Sequence, residues 1–333
     1  VRLQDLPRHL ARRCLGVPRF CREVLGVELE GARLAVAYST GLDSTALLTI
    51  AHLLASPLRL TLVAAHAHHG LRPESDAEAE HAARECARLS IPLETARLNV
   101  PSAMRDGGPG LEESARTLRY AFLEDVRRKH GCDWIVTAHH ADDLTEDIVM
   151  RLLRGTGWPG LGGMTGADTE RRLLRPLLDW EKDELRELLE SVGTAWCDDL
   201  SNALTDRTRN RVRSEIVPLL RRENPALSAA TGLLWRQARV DETYWEAAMP
   251  AVPEDNDGRF LDAGTLDVHS ALRMRLFKRV LDSMGPGQAT AGHLFLLDKA
   301  WTDRKTGSCI QFPGDKAARV ESGGVRFFLR KRN

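Results

Sequence analysis

Apolar residues in this chain gather into short, nearly continuous runs, separated by stretches in which they recur at helical spacing. The runs are Leu34–Ala37, Leu60–Ala65, Leu93–Val100, Trp134–Ala138 and Leu173–Leu178. Runs of this length bounded by turn residues read as buried strands. Between the first two lies Ala46–Leu54, apolar on almost every side, which predicts a buried helix. Ser75–Leu89 is amphipathic, with Ala79, Ala82, Ala83, Cys86 and Leu89 on one face. Further helices are expected from Leu111, from Asp142-Asp143 through Leu153, and over Trp180–Val192. Strands alternating with helices predict an α/β fold: a parallel sheet with helices on both faces, and ligand-binding loops at the C-terminal ends of the strands.

The pattern changes at both ends. Residues 1–30 read as a helical lead-in, basic through Arg2, Arg8, Arg12, Arg13, Arg19 and Arg22, with a solvated face as the default. After Asn224-Pro225 comes one long helix over 226–249, an acidic loop at Pro250–Gly258 and a helix over 268–284 followed by turns. The tail, Ser308–Gly314 and Arg319–Leu329, alternates like a hairpin. The expected organisation is a lead-in (1–30), an α/β catalytic domain (31–222) and a smaller C-terminal α+β appendage (226–333).

Composition narrows the partners. The 333 residues carry 47 basic and 47 acidic side chains, so a nucleic-acid surface has to be a local patch. No run approaches the ~18 apolar residues of a membrane span. Val1–Pro7 has no apolar leader region, so a cytoplasmic location is expected. Cys14, Cys21, Cys86, Cys132, Cys197 and Cys309 include no C-x-x-C pair, which points to reduced and mostly buried thiols.

Four segments carry candidate chemistry. Between the first strand and its helix lies Ser39-Thr40-Gly41-Leu42-Asp43-Ser44, a turn of small and hydroxylated residues with Ser44 or Asp43 available as a cap. Free backbone N–H groups and the helix dipole suit such a turn to phosphate, although the Walker lysine and the dinucleotide glycines are missing. After the second strand comes His66-Ala67-His68-His69-Gly70-Leu71-Arg72, placed where α/β sheets bind ligands rather than spaced for a metal. Asp142, Asp143, Glu146 and Asp147 are more carboxylates than a helix dipole calls for. Asp143 and Glu146, at i and i+3, share a face that can hold Mg²⁺ or an ammonium group. Arg207, Arg209, Arg211 and Arg213 form two i, i+4 ridges, and charge alone leaves phosphate contact and a solvated helix both open. Two weaker features are the ion-pair face Glu112, Arg116, Arg119 and the glycines from Gly155 to Gly163, which predict a flexible loop.

The first segment resembles the Ser-Gly-Gly-x-Asp-Ser pyrophosphate loop of the N-type ATP pyrophosphatases. Thr40 stands at the first glycine, where a positive φ would strain a β-branched residue. Four further stretches follow in order. They are the histidine segment, Glu112-x-x-x-Arg116-x-x-Arg119-Tyr120, His139-x-x-Asp142-Asp143-Leu144-x-Glu146-Asp147, and a C-terminal signature. That signature is Asp199-Leu200-Ser201-Asn202, Arg209-Asn210-Arg211-Val212-Arg213 and Val217-Pro218-Leu219-Leu220. Together, with Arg154-Gly155-Thr156-Gly157 to Met164 between the last two, they resemble the tRNA(Ile)-lysidine synthetases over roughly residues 30–222. Leu144 and Asp147 depart from that family's Gln and Thr.

The resemblance implies a two-step ligation consuming ATP with Mg²⁺. The C2 carbonyl oxygen of cytidine 34, in the CAU anticodon of an isoleucine tRNA, is adenylated, and the ε-amine of free L-lysine then displaces AMP. It implies ATP binding by Ser39, Thr40, Gly41, Leu42, Asp43, Ser44 and His66, with Asp43 and Asp143 at the metal. Asp43, Asp143 and Glu146 are then catalytic, and Glu112, Arg116, Arg119, Arg207, Arg209, Arg211 and Arg213 serve RNA and nucleotide. The appendage is expected to grip the tRNA body, and a second copy of the chain is a further candidate partner; no membrane is implied. Two alternatives stand beside it. A tRNA thiolase of the same superfamily shares the adenylation step, and the missing cysteine pair counts against it. An RNA-binding pseudoenzyme with a decayed loop is the other, motivated by Thr40, Leu144 and Asp147.

Overall fold

The computed structural model describes residues 2–68, 74–98, 111–197, 207–250 and 259–330. They form two compact units, one of Val1–Met150 with Gly163–Leu233, the other of Arg151–Gly162 with Leu234–Asn333.

The first unit is built on a six-stranded sheet of order β3-β2-β1-β4-β6-β5. Its strands are β1 (Arg33–Ala37), β2 (Thr61–His68), β3 (Leu93–Arg97), β4 (Trp134–Val136), β5 (Ala167–Asp168) and β6 (Leu173–Leu174). All neighbours pair in parallel except β5 with β6. The pleat sends alternate residues to opposite faces. Leu34, Val36, Leu62 and Ala64 join one core, with α1 (Arg8–Leu25), α2 (Leu42–Leu58), α3 (Glu74–Leu89) and α6 (Lys182–Val192). Ala35, Val63, Ala65 and Ile135 join the other, with Leu123 and Val126 of α4 (Leu111–Lys129). Leu185, Leu188 and Leu189 of α6 are fully buried, each contributing roughly 1.5–3 kcal/mol.

The lead-in is therefore part of this core. Leu10, Cys14, Val17 and Cys21 of α1 are buried in it, and Arg13 is held by Glu184 at 2.8 Å. The strand expectations were too long at β3, β4 and β6, and the edge strand β5 was not foreseen. Apolar periodicity marks burial, whereas a strand ends where its neighbour ends. The chain runs outward from β1 through β2 to β3, then crosses back to β4 and β6. That reversal sets the loops after β1 and β4 side by side at the switch point of the sheet.

In the second unit, β7 (Arg259–Asp262), β8 (Cys309–Phe312), β9 (Lys316–Glu321) and β10 (Gly324–Leu329) form an antiparallel sheet of order β7-β10-β9-β8. Its core includes Leu261, Phe277, Val280, Leu297 and Phe327. The expected hairpin is thus three strands, β8, β9 and β10, of a larger sheet, and an unforeseen helix, Ala291–Thr302, packs on it. Buried Lys316 is satisfied by three carbonyls, donating to Leu281 at 2.8 Å and to Gly285 and Gly287 at 2.7 Å.

The glycine-rich stretch is not the free loop its composition predicts. Trp158 Nε1 donates to Asp241 Oδ2 at 2.7 Å, and Arg151 donates to the Gly160 carbonyl at 2.9 Å. A Cβ on Gly162 would lie 2.2 Å from that of Ala238, so this glycine serves close packing.

Candidate functional site

The site is built from the loop after β1. Tyr38 follows the strand, and Gly41, extended at φ −70° and ψ 166°, is the N-cap of α2. Among the described residues no side chain caps this helix, so neither Ser44 nor Asp43 has the capping role expected of it. Ser44 Oγ instead ties the loop, accepting from Ser39 N at 3.1 Å and Ser39 Oγ at 3.0 Å and donating to the Gly41 carbonyl at 3.1 Å. Among the described residues the first-turn amides have no side-chain acceptor, which leaves the positive end of the helix to an incoming anion. Thr40 is fully buried with φ +65°, the left-handed conformation that glycine would adopt freely. It is held there because its carbonyl accepts from Cys197 N at 2.9 Å and from Thr45 Oγ1 at 3.2 Å.

The loop after β4 and the start of α5 (Ala141–Leu153) bring carboxylates to the same place. His140 is fully buried. Its Nδ1 lies 3.2 Å from Asp142 Oδ2, and its Nε2 lies 3.4 Å from Asp143 Oδ2 and 3.6 Å from Asp43 Oδ2. Burial opposes charge on this ring, but the three carboxylates override it and lift its pKa to about 10. His140 is an imidazolium that draws Asp43, Asp142 and Asp143 together. Burial likewise pushes Asp43 and Asp142 up. For Asp43, His140, Lys182 and Arg213 outweigh it, and for Asp142, His140, Arg221 and the Lys182 amide do, so both sit below the ordinary carboxylate value. Neighbouring His139 is the opposite case: burial takes it down to about 4, so it is neutral, with Nδ1 2.9 Å from Thr137 Oγ1.

The basic helix pairs are the main correction to the ridge expectation. The segment runs from α7 (Arg207–Arg211) through a π turn (Val212–Ile216) to α8 (Val217–Glu223). Arg213 turns inward: its Nε donates to Glu146 Oε1 at 2.7 Å, and its Nη2 to Asp143 Oδ1 at 3.3 Å. Arg209 Nε lies 3.8 Å from Glu146 Oε2. Arg221, which sequence reasoning passed over, pairs with Asp142. Arg211 is exposed and pairs with no carboxylate among the described residues; its guanidinium lies 3.4 Å from Thr208 Oγ1. The side chain of Arg207 lies outside the described residues.

A pocket of about 350 Å³ opens over the loop, lined by Ser39, Gly41, Asp43, Ser44, Lys182, Arg186, Trp196, Cys197 and Arg213. Three cations thus face the loop, and Lys182 Nζ is 3.8 Å from Asp43 Oδ2. Lys182 and Arg186 escaped notice because one helical cation in sequence resembles any other. Only the seating of α6 on α2 brings them here.

His66 lies within β2 rather than beyond its end; its Nδ1 donates to the Tyr38 carbonyl at 2.9 Å, so it braces the loop from behind. Arg116 and Arg119 are exposed on α4 and stack over Tyr120 at 5.2 and 5.9 Å. The segment His69–Arg72, the stretch 101–110, Asp199–Asn202 and the side chain of Glu112 lie outside the described residues. As for a divalent ion, Asp43 Oδ1 is buried and has no hydrogen-bond partner among the described residues, and Asp143 faces it across His140. Two carboxylates plus substrate phosphates are the usual Mg²⁺ environment, so the donor set fits.

Comparison with known proteins agrees with this geometry. A family described as the PP-loop domain matches residues 18–220. The tRNA(Ile)-lysidine synthase of Nitratidesulfovibrio vulgaris is 42% identical over 324 residues, covering 91% of this chain and 93% of its own length. Those of Thermotoga sp. and Alkalilimnicola ehrlichii are 38% and 41% identical, over 60% and 59% of this chain. Here the chain spans about half the length of its relatives, 48% and 44%. Among solved structures, the U34-tRNA thiolase NcsA from Methanococcus maripaludis shares the fold. Its TM-score is 0.55 at 15% identity, over 70% of this chain and 81% of that one.

Proposed function

This chain belongs to the tRNA(Ile)-lysidine synthase family of PP-loop proteins, and we propose that it ligates free L-lysine to C2 of cytidine 34 in the AUA-reading isoleucine tRNA. The observation that carries the reading is the junction of two environments at the edge of one pocket, where Asp43 and Arg213 line it. An uncapped helix N-terminus faced by Lys182, Arg186 and Arg213 adjoins the carboxylates Asp43, Asp143 and Glu146. The first suits a polyphosphate and the second an amine.

In the first step the C2 carbonyl oxygen attacks the α-phosphorus of ATP and the bond to pyrophosphate breaks. Loop amides and the pocket cations take up the charge gathering on the leaving group. A bound Mg²⁺, held by Asp43 with Asp143, would add charge neutralisation at the phosphates. In the second step the ε-amine attacks C2 and the C2–O bond to AMP breaks. Glu146 and Asp143 orient the ammonium and accept the proton it loses before it attacks. The base has to be unpaired to reach the pocket, as an anticodon loop allows. Exposed Arg211, Arg116 and Arg119 are phosphate contacts in this reading, and residues 226–333 hold the tRNA body. The reaction belongs to the cytoplasm, where tRNA and free lysine meet.

The test is ATP-dependent transfer of labelled L-lysine to the tRNA. Label in the tRNA that requires ATP is the expected result. ATP–pyrophosphate exchange without lysine transfer would assign the second step to another nucleophile, and the absence of both would leave only a binding protein.

A further inference from the structure

Arg213 has two sets of partners within reach. It lines the pocket above the phosphate loop, yet its guanidinium is committed to the acidic side: 2.7 Å to Glu146 Oε1 and 3.3 Å to Asp143 Oδ1. The carboxylates are deep, with side chains 5% and 13% exposed, whereas that of Arg213 is 40% exposed. The acceptors are therefore the deep members of these pairs and the cation is the accessible one. Arg213 also sits on the π turn Val212–Ile216, an irregularity often found at functional positions. The acidic side has accepting capacity left for another cation, because among the described residues Glu146 Oε2 is buried without a hydrogen bond. Among the described residues, Arg209 Nε lies 3.8 Å from Glu146 Oε2.

We propose that Arg213 is an internal stand-in for the amine substrate, and that polyphosphate in the loop pocket draws it off Glu146 and Asp143 so that lysine binds second. This rests on the reading of those carboxylates as the amine site. A guanidinium pairs at least as well with phosphate as with carboxylate, so an occupied pocket competes directly for Arg213. Two buried carboxylates losing their cation are left with an uncompensated cost, which an incoming ammonium relieves. The two ligands are then positively coupled, and the coupling is reciprocal. The consequence is an ordered site: the amine position opens only when ATP is in place, ahead of the activated base that lysine attacks.

Calorimetric binding of L-lysine, without tRNA, tests this. It is measured with the pocket empty and then saturated with Mg²⁺ and the ATP analogue whose α,β-bridging oxygen is a methylene. Lysine should bind about tenfold tighter to the loaded protein. Arg213→Gln should bind lysine with the same affinity in both states and more tightly than the empty parent. Arg213→Lys, which keeps the charge, should retain part of the coupling. A merely structural arginine would lower stability without linking the two ligands. Equal lysine affinity in the two states of the parent overturns the proposal without any variant, and so does coupling that survives in Arg213→Gln. Labelled-lysine transfer alongside uncoupled binding would overturn the stand-in alone, whereas absent transfer would overturn the ligase reading beneath it.

Discussion

At the scale of single residues, Thr40 and His140 each trade one cost against another. Thr40 carries a β-branched side chain at φ +65°, a strain on the order of 1–2 kcal/mol, and its buried side chain recovers part of it. Thr40→Gly removes both terms and should change stability by no more than about 1 kcal/mol, with ATP–pyrophosphate exchange equal or higher. A large loss of ATP binding in that variant would give the threonine side chain a role of its own. His140 makes the fold pH-dependent. Its folded pKa, about 10, lies above the ordinary 6.5. Its stabilisation is therefore complete below about pH 6.5 and is lost as pH rises through 10. Asp43 and Asp142 have depressed values, so their stabilisation is present above the ordinary 3.8 and is lost as pH falls through their folded values. Thermal melts in chelator should show a Tm falling by at least about 5 °C from pH 6.5 to 10, and His140→Gln should flatten that limb. An unchanged alkaline limb in the variant would mean that the ring is neutral.

At the scale of elements, the basic segment from Arg207 to Glu223 divides by orientation rather than by charge. Arg209, Arg213 and Arg221 face the carboxylates after β4, and Arg211 faces solvent. Arg211→Gln should therefore act on RNA alone. The tRNA affinity should fall and its log–log salt slope should drop by roughly 0.7–0.9, with Tm and ATP binding unchanged. A lower Tm with an unchanged slope would instead make Arg211 a brace. Arg213 pairs with Asp143 and Glu146, more than sixty residues earlier in the chain. Sequence distance carries no information about such pairs.

At the scale of the whole molecule, net charge is zero and all six cysteines are free. Burial pushes Cys14 and Cys21 up to about 12 and Cys86 to about 11. Cys309 is exposed and Cys197 lines the phosphate pocket. A thiol reagent at pH 8 should therefore modify Cys309 and Cys197 in the native protein and leave the buried four, Cys132 among them, intact. The ATP analogue should protect Cys197 and not Cys309. Peptide mapping that finds Cys197 equally labelled with and without the analogue would move the nucleotide out of this pocket.

The alternation of buried strands and helices was legible in the chain because burial on both faces forces near-continuous apolar runs. The phosphate loop was legible because strand, turn and helix are contiguous in sequence. So was the pairing of Asp143 with Glu146, which needs only helical period. What α6 and the 207–223 segment contribute was not legible. Lys182, Arg186, Arg213 and Arg221 have meaning only against Asp43, Asp142, Asp143 and Glu146, and the meeting is made by sheet order. Because β1 and β4 are neighbours, two loops a hundred residues apart share one crevice. Local pattern fixes which residues are buried and which elements form. Only the crossing of the chain at β1 decides which charges face one another, since ion pairs act through space and leave no period in the sequence.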